Sequence, residues 1–66
     1  MKLGERLKEL RGGLFKTHMS AATGIHVRQL QMWELGYCYP RFEYLMRLAD
    51  YYGMSLSEML KGVDEL

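Results

Sequence analysis

Cysteine is nearly missing from this chain: Cys38 is the only one in 66 residues. A lone thiol closes no internal disulfide, which excludes a cystine-stapled scaffold and fits a reducing compartment. With no Cys-x-x-Cys pattern or strongly basic neighbour beside it, Cys38 reads as inert. Long apolar runs are missing too, since nothing approaches the roughly twenty residues needed to span a bilayer. Met1-Lys2-Leu3-Gly4-Glu5-Arg6 is too charged, and too quickly interrupted, for a signal sequence. The expectation is a protein that works in the cytoplasm with no membrane partner. No strand-like alternation, repeat, linker or low-complexity segment is visible. Ser/His/Asp, paired-carboxylate and glycine-rich phosphate patterns are absent from any context that would set them in a cleft, so neither an enzyme, a cofactor nor a small-molecule ligand is expected. His18 and His26 with Cys38 supply three soft donors where a structural zinc site takes four, so no metal is expected either.

Charge of one sign is also lacking overall: nine Lys/Arg face eight Asp/Glu, a net charge of +1. The balance hides an asymmetry. Residues 1 to 41 carry seven Lys/Arg against three Asp/Glu, or +4, while residues 42 to 66 carry two against five, or −3. The basic half is the better candidate for a polyanion partner. What the chain has in quantity is apolar side chains, 48% of residues, with charged ones at 26%. That suits a globular fold and argues against disorder. A chain this short forms one domain, residues 1–66, with a small core and modest stability.

Helical spacing dominates. Leu3, Leu7, Leu10 and Leu14 recur every three or four residues, predicting a helix over residues 2–11 that Gly12-Gly13 ends. Residues 16–23 predict a second, short helix with Met19 and Ala22 inward, closed by Gly24 in the left-handed conformation. Ile25 anchors the turn. In a third helix, residues 27–35, Leu30 and Trp33 share one face and leave Arg28 and Gln31 pointing elsewhere; Gly36 stops it. Tyr37-Cys38-Tyr39-Pro40 reads as a loop. Phe42, Leu45, Leu48, Ala49 and Tyr52 give an inward stripe for a helix over 41–52, ended by Gly53. Ser55 can cap a last short helix containing Leu56, Met59 and Leu60, with Glu58 at the reciprocal capping position. Lys61 to Leu66 reads as a frayed tail.

Leu10-Arg11-Gly12-Gly13-Leu14, then Gly24-Ile25, Leu30, Trp33-Glu34-Leu35-Gly36, Pro40, Leu45, Leu48-Ala49, Met54-Ser55-Leu56 and Met59-Leu60 resemble the phage repressor-like (Cro/CI, or XRE) helix-turn-helix family. The resemblance runs in register over nearly the whole chain. It implies an all-α, five-helix lambda-repressor-like DNA-binding domain, with the helix-turn-helix proper at about 16–35 and the C-terminal helix and tail at 55–66. In that family the third helix lies in the major groove of double-stranded DNA. Base reading then falls to Val27, Arg28, Gln31 and Met32. Arg28 suits the two acceptors of guanine and Gln31 adenine, while Val27 and Met32 suit a thymine methyl. Lys16, Thr17, His26, Tyr37, Tyr39 and Arg41 fall where phosphates are held. A charge gained by His26 as pH falls would tighten that hold.

Departures from the family are equally legible. Phe15 and Lys16 stand where Ser or Thr then Gln usually open the second helix, which removes the side-chain cap and leaves Thr17 as a substitute that would shift the start. His26 replaces a serine or threonine before the third helix. Ser20 and Thr23 replace a small apolar residue and a leucine, and each change is expected to weaken packing or capping slightly. The loop Tyr37-Cys38-Tyr39 offers hydrogen bonds but no charge. Glu34 is expected to pair with a base of the first helix, Arg11 for instance, as a surface pair of little worth.

Met19, Ile25, Leu30 and Trp33 read as core. Tyr44, Tyr51, Met54, Leu56, Met59, Val63 and Leu66 exceed what so small a core can bury, predicting an apolar patch in the C-terminal half. Its natural use is a homodimer interface of Tyr51, Met54, Leu56, Met59 and Val63. Such a dimer would set two reading helices one DNA turn apart. The function expected is a sequence-specific DNA-binding regulator, a repressor acting as a homodimer on a palindromic operator. The alternative is a protein-interaction module on the same fold, antitoxin-like or anti-repressor, with weak or no DNA binding.

Overall fold

Glycine placement and apolar spacing divide the chain into five helices. In the computed structural model, which describes residues 1–65, they are α1 (Leu3–Arg11), α2 (Lys16–Thr23), α3 (Val27–Leu35), α4 (Phe42–Tyr52) and α5 (Leu56–Met59). No strand occurs among the described residues beyond one isolated parallel bridge between Lys2 and Glu65. The periodicity thus yields the elements almost to the residue, because spacing and stop signals are local. α1 opens one residue later than the spacing suggests, and α4 also, with Arg41 as its N-cap.

Leu3, Leu7, Met19, Ile25, Leu30, Trp33, Leu48, Ala49 and Met59 form one buried cluster to which every helix contributes. Ile25 is fully buried in the α2–α3 turn, as the sequence requires of an anchor. That turn is built locally. Gly24 takes φ 75°, which only glycine enters without strain. The Thr23 hydroxyl donates to Met19 O at 2.7 Å and accepts from Ile25 N–H at 3.2 Å. The threonine that stands where the family has a leucine therefore fastens the turn.

α1 crosses the end of α3 at unusually close range. A Cβ on Gly4 would lie 2.6 Å from both Trp33 O and Glu34 O, closer than any side chain tolerates. The pair between Arg11 and Glu34 locks the same contact. Arg11 donates from Nε to Glu34 Oε2 at 2.7 Å and from Nη2 to Oε1 at 3.0 Å, and from Nη1 to Leu14 O at 2.8 Å. The two side chains are 15% and 8% exposed. A surface pair of little worth is thus corrected to a nearly buried, bidentate one, because α1 lies directly against α3.

α5 is stapled to α1 by Arg6, which donates to Met59 O at 2.9 Å and to Glu58 O at 3.0 Å, serving two carbonyls at the end of that helix. Ser55 and Glu58 cap α5 reciprocally, as expected, at 3.1 and 3.0 Å. The Ser55 N–H, with the Ser55 hydroxyl, draws the Glu58 carboxyl below its usual range.

Several further expectations need correction. Residues 61–65 are not frayed. Leu3 N–H donates to Glu65 O and Asp64 N–H to Met1 O, and the Met1 ammonium binds Gly62 O and the Asp64 carboxylate. That partnership raises the ammonium's proton affinity and lowers the carboxyl's. Leu66 lies outside the described residues. Phe42, assigned to the inward stripe of α4, is 66% exposed, because it is the first residue of the helix and lies beyond the reach of the core. Ala22 and Leu14 also face solvent, Leu14 because α1 ends before it. Met59 is 0% exposed, so it cannot line a dimer interface; α5 folds it inward as one of the best-buried side chains. Tyr44, Tyr51, Met54, Leu56 and Val63 pack partly buried against the core rather than standing out as a patch.

Two outcomes follow from the α1–α3 contact. Gly4→Ala should destabilise by about 1–3 kcal/mol, although alanine favours a helix by about 1 kcal/mol. The urea midpoint reads this, and Gly13→Ala, where an added methyl meets nothing within 4 Å, should leave it close to wild type. Glu34→Ala strands the Arg11 guanidinium and should lower stability by about 2–4 kcal/mol. The double variant Arg11→Met/Glu34→Leu should recover most of that loss in the same assay.

Candidate nucleic-acid interface

α3 presents two unlike sides. Leu30 and Trp33, three residues apart, are buried, and the Trp33 ring meets Tyr44 of α4 with centroids 5.5 Å apart. Arg28 and Gln31, also three apart, are both exposed, while Val27 and Met32 are half-buried. The rod from Val27 onward is therefore gripped from behind and uncovered in front. The guanidinium and amide lie at helical neighbour spacing on that front. They are the two side chains able to form paired hydrogen bonds with base edges. Val27 and Met32 can add only the apolar contact left to half-buried side chains.

The start of this helix carries a feature the sequence reading took for a weakness. His26 is the N-cap of α3, and its Nδ1 accepts the backbone N–H of Arg28 at 3.1 Å. The imidazole thus does the work of the missing serine or threonine. It was overlooked because histidine is a rare cap, although its acceptor nitrogen lies at a reach comparable to that of an asparagine oxygen. Among the five helices only α3 and α5 donate a backbone N–H to their own N-cap side chain. At α2 the expected loss holds: Phe15 is the N-cap without a side-chain bond, and Thr17 lies exposed inside the helix instead of replacing the cap.

Lys16 opens α2 with its Nζ 4.0 Å from Glu34 Oε1. Arg11 and Lys16 therefore share one carboxylate, and an excess of positive charge remains. That charge lines a cleft of about 190 Å³ with Lys8, Gln31, Glu34 and Leu35. Lys8 was not singled out from the sequence, although its spacing of three from Arg11 puts both on one stripe of α1. The hydrogen bonds that Arg11 donates to Glu34 raise the proton affinity of its guanidinium. Behind the same pair, burial pushes the Tyr52 phenol up to about 12, and its hydroxyl donates to Met19 Sδ at 3.6 Å. Tyr52 is thus a neutral core group.

Arg41, Tyr37 and Tyr39 are exposed beyond the end of α3, as is the free Cys38. Tyr37 at 73% and Phe15 at 77% are among the most exposed large apolar side chains, with Leu35, Tyr39 and Phe42. Most of the exposed large apolar side chains therefore lie within residues 1–41, with Phe42 and Met46 of α4 the exceptions. Arg47 of α4 stacks over the Tyr44 ring at 5.2 Å, and its Nη1 lies 3.8 Å from the Cβ position of Gly24 in the turn. No helix among the described residues is long and apolar enough to cross a membrane.

The helix-turn-helix family model matches residues 7–59, which takes in α2, the Gly24-Ile25-His26 turn and α3. The HTH-type transcriptional regulator DdrOP3 of Deinococcus deserti is 41% identical over 66 residues, covering 97% of this chain and 51% of the relative. A crystal structure of a transcriptional regulator from Listeria innocua superposes with a TM-score of 0.78 at 27% identity, over 98% of this chain and 63% of the other. The chain thus spans about half the length of the curated relative it matches. With the turn, the buried back of α3 and these likenesses in agreement, the chain belongs to the phage repressor-like (XRE) helix-turn-helix family of transcriptional regulators.

Proposed function

We propose that this chain reads double-stranded DNA in sequence through α3 and represses transcription in the cytoplasm as a homodimer on a palindromic operator. The observation that carries the reading is the bare front of α3, with Arg28 and Gln31 exposed above the buried pair Leu30 and Trp33. Arg28 takes guanine and Gln31 adenine, and Val27 and Met32 meet thymine methyls. Lys16, Thr17, His26, Tyr37, Tyr39 and Arg41 hold phosphates on either side. Lys8 joins them, because it lines the same cleft as Lys16. Phosphate contacts supply affinity that falls with salt, and base contacts supply choice. In the dimer the two reading helices stand about 34 Å apart. With Met59 buried, the contacts left to the partner copy are the accessible parts of Tyr51, Met54, Leu56 and Val63.

A second reading has its own support. Phe15, Leu35, Tyr37 and Phe42 are highly exposed apolar groups, which suit a protein partner on the same fold. The two readings part in one titration with random duplex DNA at low and moderate salt. Binding that falls steeply with salt favours DNA, and no binding at low salt favours the protein partner.

Selection from a random DNA pool should enrich a palindrome. Against it, Arg28→Ala should relax preference at one base position in each half-site, with a loss of about 1–3 kcal/mol there. Lys16→Ala should weaken all sequences alike and reduce the salt slope by about one. If both variants weakened all sequences uniformly, the assignment of reading to Arg28 would be wrong.

A further inference from the structure

The proton inventory of the His26 ring follows from its hydrogen bond. Nδ1 accepts from Arg28 N–H, so it carries a lone pair, and the single proton of the neutral ring sits on Nε2. A second proton has only Nδ1 to occupy. It would turn the capping acceptor into a donor that faces the Arg28 N–H, so a capped α3 and a charged His26 are mutually exclusive. A cation at a helix N-terminus opposes the helix dipole. Arg47 of α4 lies against Gly24 in the same turn, and Asp50 of α4 shares a groove with Arg47, Ala22 and Thr23.

The residue whose backbone is capped is also the one whose guanidinium reads bases. We propose that His26 is a positioning residue for base reading: its neutral imidazole fixes the first turn of α3 through Arg28 N–H, and a proton on Nδ1 releases that turn. The proposal rests on the DNA reading above and sets its regulation. Acid strengthens attraction to any phosphate while loosening the first turn, so the ratio of selective to indiscriminate binding falls. A charge that merely tightened the phosphate hold would leave Arg28 in place, and the bond at Nδ1 argues against that outcome.

The test compares the full chain with His26→Asn, which caps without titrating, and His26→Ala, which does neither. Each is studied near pH 7.5 and 5.5, across which an imidazole changes charge. Without DNA, nitrogen NMR of the ring identifies the tautomer, and hydrogen exchange gives the protection factor of the Arg28 amide. With DNA, the readout is the ratio of affinities for the selected palindrome and a random duplex. In wild type, Nδ1 should be unprotonated at the higher pH, and both the Arg28 protection and the affinity ratio should fall about fivefold at the lower, the size of a lost cap. In His26→Asn neither quantity should change between the two pH values, and in His26→Ala both should be low at each.

A proton on Nδ1 at pH 7.5, full Arg28 protection in His26→Ala, or the wild-type drop persisting in His26→Asn would each overturn the proposal. An affinity ratio indifferent to both substitutions while the amide follows the expected pattern would overturn the link from cap to reading. The amide pattern without selective binding to any duplex would instead remove the DNA reading and leave the cap standing.

Discussion

The bidentate pair between Arg11 and Glu34 ties α1 to the back of α3, and the arrangement of that helix depends on it. A nine-residue helix is too short to hold its own shape in water. It must be held by neighbours, yet any neighbour on its front would cover the exposed side chains of Arg28 and Gln31. The chain meets both demands from one side. Glu34 is bound by α1, Leu30 and Trp33 enter the core, and Gly4 lets the two backbones approach to a distance that a methyl group would forbid. Burying that carboxylate is tolerable only because two guanidinium donors and the nearby Lys16 compensate it.

The same side of the molecule collects charge. Arg11 and Lys16 share one carboxylate and Lys8 lines the same cleft, leaving local positive charge on a chain whose total is +1. Net charge is therefore a poor guide to the local charge of this surface. Two modest helices that converge concentrate what composition spreads thin.

The far end of the domain is fastened with different chemistry. Arg6 holds the last carbonyls of α5, and the backbone of residues 64–65 lies beside residues 1–3. These contacts keep Met59 sealed inside. The surplus of methionine and tyrosine in the C-terminal half thereby becomes lining for a small core. Large apolar side chains are instead left in the open at Phe15, Tyr37 and Phe42, beside the recognition elements in sequence.

The sequence by itself determined the helices, the glycine at the turn, the anchors Met19, Ile25, Leu30 and Trp33, the reciprocal cap at Ser55 and Glu58, and the free face of Arg28 with Gln31. Each is a matter of spacing or of contacts within a few residues, where backbone geometry leaves little choice. Only the tertiary structure decided that Glu34 is nearly buried, that Phe42 is exposed while Met59 is not, that the tail docks beside residues 1–3, and that Lys8 and Lys16 share a cleft. Those outcomes depend on which faces of separate helices come to lie together. Apolar periodicity names a face but not its neighbour. The cap from His26 lies between the two cases: its partner is two residues away, but the bond needed the turn held rigid by Ile25 and Thr23 to bring the imidazole nitrogen onto the Arg28 amide.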